Sequence, residues 1–547
     1  MRRTLPHLLL AIIAFARPAT AQIDVALSPF PVQQQPVGYQ TFGDGSGGVW
    51  AVFQGAQSGA ALYAQHVLAN GAYAAGFGPA ARQVAHSGTL VNSISAAPDG
   101  LGGALVVWFG VNPLDSTSQS VALRAQHLDA QGTNQYPDSG LVVSSIASAA
   151  MAVGDGQGGL YVAWEELKSP TNPDIVAQHF GNFGDPLWSP SGSPTGRNVC
   201  AVVGIQRLRA IQEDGAGGAY VAWADSRVPG TVPLYGMRLT PGGVAAAPWP
   251  ANGVQLTPLT SGIRIVGSAG APGGGIWVAW RDINVGGQFA AQHLAADGSL
   301  RCAAAGALVA AVSVTRADLV PATSGDVFVT WSGADIRCQR LDSTGTRMWP
   351  EISGRVMVSP PSPPITTRAA TDGAGGQRLA WSFDNGGQTD VNVLRVDGTG
   401  APWPGEPPLG DSFAATPLAD EPVAWLRSET STPQTVWLSG GILEVRLTPT
   451  SASVGREGPL GGVALAPPAP NPLRGGLLTL RFSAAAGPAR LELFDAAGRR
   501  VLARALFSQG GAQSVRFDEA ARLAPGVYTL RLSASGVSAS RRLVRIE

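Results

Sequence analysis

Apolar and polar positions along this chain follow one recurring phrase: a Gly-rich acidic turn, then a short apolar run that ends in an aromatic. The clearest copies run from Asp99-Gly100-Leu101-Gly102-Gly103 to Trp108, from Asp155 to Trp164, from Asp214 to Trp223 and from Asp372 to Trp381. The copy from Asp44 ends in Phe53, and weaker ones end in Trp280, Trp331 and Trp425. Successive aromatics are 55, 56, 59, 57, 51, 50 and 44 residues apart, the length of one supersecondary unit rather than of one domain. A second phrase follows each aromatic: Ala64-Gln65-His66-Val67, Ala125-Gln126-His127-Leu128, Ala177-Gln178-His179-Phe180 and Ala291-Gln292-His293-Leu294. In the other repeats the histidine position is held by Arg238, Arg340, Arg395 and Arg446.

The run before each aromatic, such as Leu160-Tyr161-Val162-Ala163-Trp164, is apolar throughout, as expected of a strand covered on both faces. Leu123 to Asp129 predicts a second strand, and Gly140 to Val143 and Ala149 to Val153 supply two more. Four strands in about 50 residues make a propeller blade. Ile23 to Phe42 precede the first aromatic and the last repeat stops after Arg446-Leu447, so N-terminal strands can complete the final blade. The expected fold is all-β: an eight-bladed β-propeller over residues 22–447, or seven-bladed if the worn stretch from Asp411 to Thr448 packs elsewhere.

Composition agrees with many short strands joined by Gly and Pro turns. Only 14% of the 547 residues are charged, 45% are hydrophobic, and there are 71 glycines and 42 prolines. Arg2 and Arg3 followed by the apolar run Leu8 to Ala16 and by Ala19-Thr20-Ala21 read as a signal peptide, residues 1–21, cleaved before Gln22. The balance of 37 basic and 37 acidic residues offers no basic patch for nucleic acid, and no later apolar run is long enough for a transmembrane segment. Cys200, Cys302 and Cys338 lack metal-ligand spacing, and an odd count leaves at least one thiol unpaired; Cys302 with Cys338 is the candidate disulfide.

Past Leu447 the repeats give way to a Pro-rich linker, residues 448–472, and then to alternating segments that predict a small antiparallel sandwich over 473–547. Pro470-Asn471-Pro472 opens it, Leu491-Glu492-Leu493-Phe494-Asp495-Ala496-Ala497-Gly498-Arg499-Arg500-Val501 follows, then Leu523-Ala524-Pro525-Gly526-Val527-Tyr528-Thr529-Leu530, and Arg541-Arg542-Leu543-Val544-Arg545-Ile546 ends it. This ordered set resembles the C-terminal sorting domain of type IX (Por) secretion substrates, and is similar to the immunoglobulin-like fold of the flagellar hook-capping family. The resemblance covers roughly Val463 to Glu547 and rests on Pro470, Asn471, Pro472, Asp495, Gly498, Gly526 and Tyr528; arginines stand where the family has terminal lysines. It implies an Ig-like module that serves as a secretion address, type IX-like secretion machinery as partner, and a protein secreted to, or held at, the outer-membrane surface of a Gram-negative bacterium. The repeats resemble uncharacterised extracellular propeller repeats found ahead of such domains, which implies architecture and no reaction.

No metal, cofactor or catalytic residue is expected. Histidine exchanging with arginine at one repeat position follows donor capacity rather than coordination, since arginine does not ligate metals at neutral pH. The turn aspartate supplies one oxygen ligand where a calcium loop needs several, and fits an Asp that caps its own turn. Glu165, Glu166, Asp225 and Asp282 are the carboxylates a glycosidase could pair across a cleft, but no nucleophile motif accompanies them. Trp108, Trp164, Trp223, Trp280, Trp331, Trp381 and Trp425 are read as blade-packing residues, as are Trp188, Trp249, Trp349 and Trp403, which would stack on carbohydrate only as an exposed row. A binding or scaffolding surface for an extracellular glycan or protein ligand is the expected function. The alternative is an extracellular polysaccharide hydrolase or lyase working in the axial cleft.

Overall fold

A computed structural model describes residues 23–28, 38–55, 61–85, 93–110, 121–138, 140–168, 172–188, 196–271, 274–284, 288–312, 314–322, 325–372, 374–384, 386, 389–407, 409–414, 420–426, 434–439, 442–447, 464–465, 478–484, 487–495, 499–508, 511–517, 523–534 and 537–545. The chain divides into two compact units, Met1–Thr450 and Ser451–Glu547. The expected signal peptide and nearly all of the expected linker lie outside the described residues.

Every element described is a strand or turn, and no helix among the described residues is long and apolar enough to cross a membrane. In the first unit the described strands form eight four-stranded antiparallel sheets. Seven take four strands consecutive in the chain, as in Gln206–Glu213, Ala219–Asp225, Leu234–Leu239 and Val254–Gln255. The eighth joins the two ends of the unit. Asp420–Leu426, Gln434–Ser439 and Ile442–Leu447 are completed by Ile23–Ala26, with Ile23 opposite Leu447 and Ala26 opposite Glu444. The first strand of each sheet touches that of the next: Tyr39–Gly43, Ile94–Pro98, Ala147–Gly154, Gln206–Glu213, Ile263–Gly270, Asp318–Pro321, Thr366–Thr371 and Asp420–Leu426, which returns to Tyr39–Gly43. This is the arrangement of a β-propeller.

Second strands carry the core. Val49–Gln54, Ala104–Gly110 and Ala219–Asp225 are buried at every position, because each lies between two strands of its own sheet and under neighbouring sheets on both faces. Trp108, Trp164, Trp223, Trp280, Trp331 and Trp381 end such strands and are all buried. Each indole lies over the residue that turns the chain into the fourth strand, Gly140, Gly196, Gly253, Gly306, Gly354 and Gly410 in order, where a Cβ would run into the ring.

Trp425 departs from this series. It lies on Asp420–Leu426, a first strand, whereas the other six tryptophans lie on second strands. Pairing of Arg446 with Thr435 and of Arg238 with Tyr220 puts the equivalent of Trp223 at Leu438, 57 residues after Trp381. The phrase drifts by one strand because Leu438 holds the equivalent position on the second strand, with Trp437 one place before it, while the first strand carries Trp425.

The second unit holds two sheets. One is ordered Ala464–Leu465, Leu478–Ala484 and Gly511–Phe517; the other Arg500–Ser508, Gly487–Phe494, Gly526–Ala534 and Val537–Arg545. Alternate residues point inward: Leu478, Leu480, Leu491, Leu493, Tyr528, Leu530, Leu532 and Leu543 form its core. The Tyr528 hydroxyl donates to the Ala524 carbonyl at 2.7 Å, and Asp495 closes its turn by accepting from Arg499 N at 2.9 Å. Gly526 opens its strand, while Pro470, Asn471, Pro472 and Gly498 lie outside the described residues.

Candidate functional site

Two features of the first unit combine charge with repetition. One is the turn between first and second strands. Asp44 Oδ1 accepts from Ser46 N and Gly48 N, both at 2.7 Å, and Asp99, Asp155, Asp214 and Asp372 repeat these two bonds. Two intervening positions need positive φ, 79° at Gly45 and 89° at Gly47, which explains their glycines. Oδ2 turns to the third strand, where it meets His66 Nε2 at 3.0 Å, and His127 and His179 meet Asp99 and Asp155 at 2.9 Å. Arg238 and Arg395 meet Asp214 and Asp372 in the same way. Burial opposes ionisation of Asp44, but the hydrogen bond from His66 and those from the Ser46 and Gly48 amides outweigh it and hold the carboxyl below its ordinary range.

The same cationic position reaches the next sheet. His66 Nδ1 lies 3.1 Å from Ala130 O, and His127 Nδ1 lies 2.9 Å from Asn182 O. Each ring thus spans from a turn carboxylate of its own sheet to a carbonyl of the next. Arg340 serves an equivalent pair, donating to Asp326 at 2.7 Å and to Gly398 O at 2.6 Å. Histidine and arginine interchange here because each bridges a turn carboxylate to a carbonyl of the next sheet.

Among the turns described, those of the fifth and sixth repeats lack the aspartate. Ala322 takes its place in the sixth, and Asp326, four residues on, brings a carboxylate to Arg340 from the other end of the turn. The fifth has Ala271 with no such replacement. His293 Nδ1 still lies 2.8 Å from Ser343 O, but its buried Nε2 has no hydrogen-bond partner. Burial pushes this imidazole down, and Arg301 adds to the effect against the opposing Ser343 carbonyl.

Two further repeat positions complete the turn network. Directly opposite the His or Arg stand Trp50, Tyr161, Tyr220, Trp277 and Phe328. Trp50 stacks on His66 at 4.4 Å and Trp277 on His293 at 4.7 Å. The Gln before the histidine, as at Gln126, accepts from the next amide and from Tyr136 N ten residues later. The repeated Gln was visible in the second phrase; the aromatic was hidden inside an apolar run.

The four carboxylates singled out in the sequence are engaged. Glu165 is buried, meets Arg207 at 2.7 Å and accepts from Leu208 N at 2.9 Å. Asp225 meets Arg227 at 2.7 Å and the Trp223 indole at 2.8 Å; burial opposes its ionisation but these bonds, with Arg227 N, hold it low. Asp282 accepts from Asn284 N at 2.9 Å, and Glu166 lies 3.9 Å from Lys168. Trp188, Trp249 and Trp349 are buried, and the first two donate to Pro241 O and Ala296 O of the following sheets. All three cysteines are free and buried, so no Cys302–Cys338 bond forms, and burial pushes the Cys200 thiol up to about 12.

The second charged feature lies on the first strands, near the tryptophan ends of the sheets. A polar cleft of about 260 Å³ between the sixth and seventh sheets is lined by Arg316, Asp318, Thr330, Ser332, Thr367 and Arg368. Arg316 is largely exposed and 3.5 Å from Asp318, whose other oxygen accepts from Ala369 N at 2.8 Å. Arg209 and Arg264, on the fourth and fifth sheets, are exposed and hold their guanidinium groups on the carbonyls of Leu208 and Ile263, both at 2.9 Å. None of these arginines belongs to a repeated phrase.

No family model matches the chain, and no curated protein does. Among solved structures it is similar to an ulvan lyase of polysaccharide lyase family PL25, with 10% identity over 78% of this chain and 95% of that one, at a TM-score of 0.37. It is similar to PorZ, a surface component of the type-IX secretion system of Porphyromonas gingivalis, with 12% identity over 96% and 100% and a TM-score of 0.24. The β-propeller domain of the Trilobed protease from Pyrococcus furiosus gives 8%, 64%, 96% and 0.37 for the same measures. At such scores these likenesses assign no reaction and no ligand.

Proposed function

We propose that the chain is an exported binding protein, an eight-bladed propeller spanning residues 22–447 joined to an immunoglobulin-like sorting domain at 473–547. Eight four-stranded sheets whose first strands make a complete circuit support the blade count, and the pairing of Ile23–Ala26 with Ile442–Leu447 supports closure. The two facing sheets of the C-terminal unit and the Tyr528 bond back to Ala524 support the sandwich. In this reading residues 1–21 direct export from the cytoplasm. The C-terminal domain engages a type IX-like machinery at the outer membrane of a Gram-negative bacterium, and the propeller then presents its surface to an extracellular glycan or protein.

One observation carries binding over catalysis: the carboxylates that follow the second-strand tryptophans are held by arginines, indoles and amides. A glycosidase needs one carboxyl able to hold a proton and a second facing it across open space. Glu165 and Asp225 are buried under their partners instead. The test is to incubate the purified full chain with extracellular polysaccharides, following reducing ends and unsaturated products beside binding by calorimetry. Saturable binding with the polymer left intact is expected. New chain ends would replace the binding protein with a hydrolase or lyase.

A further inference from the structure

Positive charge on the described first strands is confined to one arc of the circuit, and the eighth first strand, Asp420–Leu426, carries only the acidic Asp420 and Glu421. Tyr39–Gly43, Ile94–Pro98 and Ala147–Gly154 carry no charged residue. The next four sheets bring Arg207 and Arg209, then Arg264, then Arg316 two residues before Asp318–Pro321, then Arg368. Arg281 joins them from the second strand of the fifth sheet, directly opposite Arg264. Like charges facing each other across an antiparallel pair repel. Arg281 Nε is buried and without a hydrogen-bond partner. Within this arc Glu165 meets Arg207 and Asp318 meets Arg316.

Resting on the binding reading above, we propose that this arginine arc is the ligand site and that its ligand is an acidic polysaccharide, a chain bearing carboxylate or sulfate groups. Planar guanidinium groups are suited to two-point contact with such anions. Their anchoring on the carbonyls of Leu208 and Ile263 sets Arg209 and Arg264 in place before a ligand arrives. Arg207 and Arg264 crowd Arg209 with like charge, so an anion entering the arc relieves a positive field. The Ser332 hydroxyl in the cleft beside Arg316 and Arg368 matches a ligand that carries hydroxyl as well as anionic groups. Single-stranded nucleic acid fits less well, because its bases need aromatic platforms, and the large exposed aromatic described, Phe183, follows the third strand of the third sheet, outside the arc.

The test uses the full chain with polygalacturonate and chondroitin sulfate against neutral dextran, by calorimetry at 50 and 300 mM salt. Binding of the acidic polymers that weakens as salt screens the charges is expected, with about tenfold loss in Arg209→Gln/Arg264→Gln/Arg316→Gln. Arg316→Gln alone, at a largely exposed position, shows a smaller loss in the same direction and guards against misfolding of the triple variant. Arg301→Gln/Arg499→Gln, which removes exposed positive charge elsewhere, binds as the parent does. Unchanged affinity in both arc variants overturns the site, and equal binding of dextran overturns the ligand class while leaving a binding protein. Tighter binding of oligonucleotide or polyglutamate also overturns that class. Cleavage of the polymer would instead sink the binding reading itself.

Discussion

At the scale of single residues, the fifth repeat isolates what a turn aspartate contributes. Ala271 N bonds Gly275 O as Asp44 N bonds Gly48 O, so this closing backbone bond forms without the carboxylate. What is missing is the acceptor for His293 Nε2. Ala271→Asp should supply it, together with an acceptor for the Gly275 amide. We expect a gain of about 1 kcal/mol, since a charged hydrogen bond is partly offset by burying the new carboxylate. Urea unfolding at pH 6 and 7 measures it, and proton NMR should show the His293 titration moving up from its present low position. A lower urea midpoint, or an unmoved titration, would mean that the carboxylate does not reach the ring.

Elements of the ring are locked by a second recurring contact, an indole lying on a glycine. At Gly253 φ is 85°, and an added Cβ would meet the Trp223 ring and lie 2.8 Å from Gly236 O. Gly253→Ala should therefore cost about 2 to 4 kcal/mol, left-handed strain adding to overpacking. Gly230 also has positive φ, but a Cβ there meets nothing within 4 Å, so Gly230→Ala should lose only the strain. Chemical denaturation of the pair separates the contributions. Equal midpoints would show that the indole gives way freely.

These elements also mark what the chain discloses before it folds. Second strands were legible because burial on both faces leaves an unbroken apolar run that ends in tryptophan. The eighth was misread: Trp425, 44 residues after Trp381, sits one strand early, and the short interval was the warning. The His and Arg series was legible as a set of donors. Its acceptors were not, since Asp44 and His66 are 22 residues apart and the carbonyls belong to the next sheet. Asp326 standing in for a missing aspartate was hidden for the same reason, its role being fixed by space rather than by phrase. The arginine arc repeats nothing, and only the stacking of first strands gathers it.

For the whole molecule, the chain divides at Thr450 and Ser451 into two compact units, each with buried clusters of its own. The first is closed by Ile23–Ala26 on Ile442–Leu447, with Leu27 N and the Ser28 hydroxyl bonded to the backbone of Leu443, so its integrity depends on its own two ends. A chain lacking residues 451–547 keeps both ends and should fold, giving cooperative unfolding and the β-sheet dichroism of the intact unit. If the C-terminal sandwich is the export address, the same truncation should leave the protein in the periplasm, and its reattachment to an unrelated folded domain should send that domain to the surface. Cell fractionation with surface protease digestion reads both results. Truncated protein at the surface in normal amounts would remove the sorting role from the C-terminal unit. Truncated protein that fails to fold would show that closure by the N-terminal strand is insufficient, and that the two units stabilise each other.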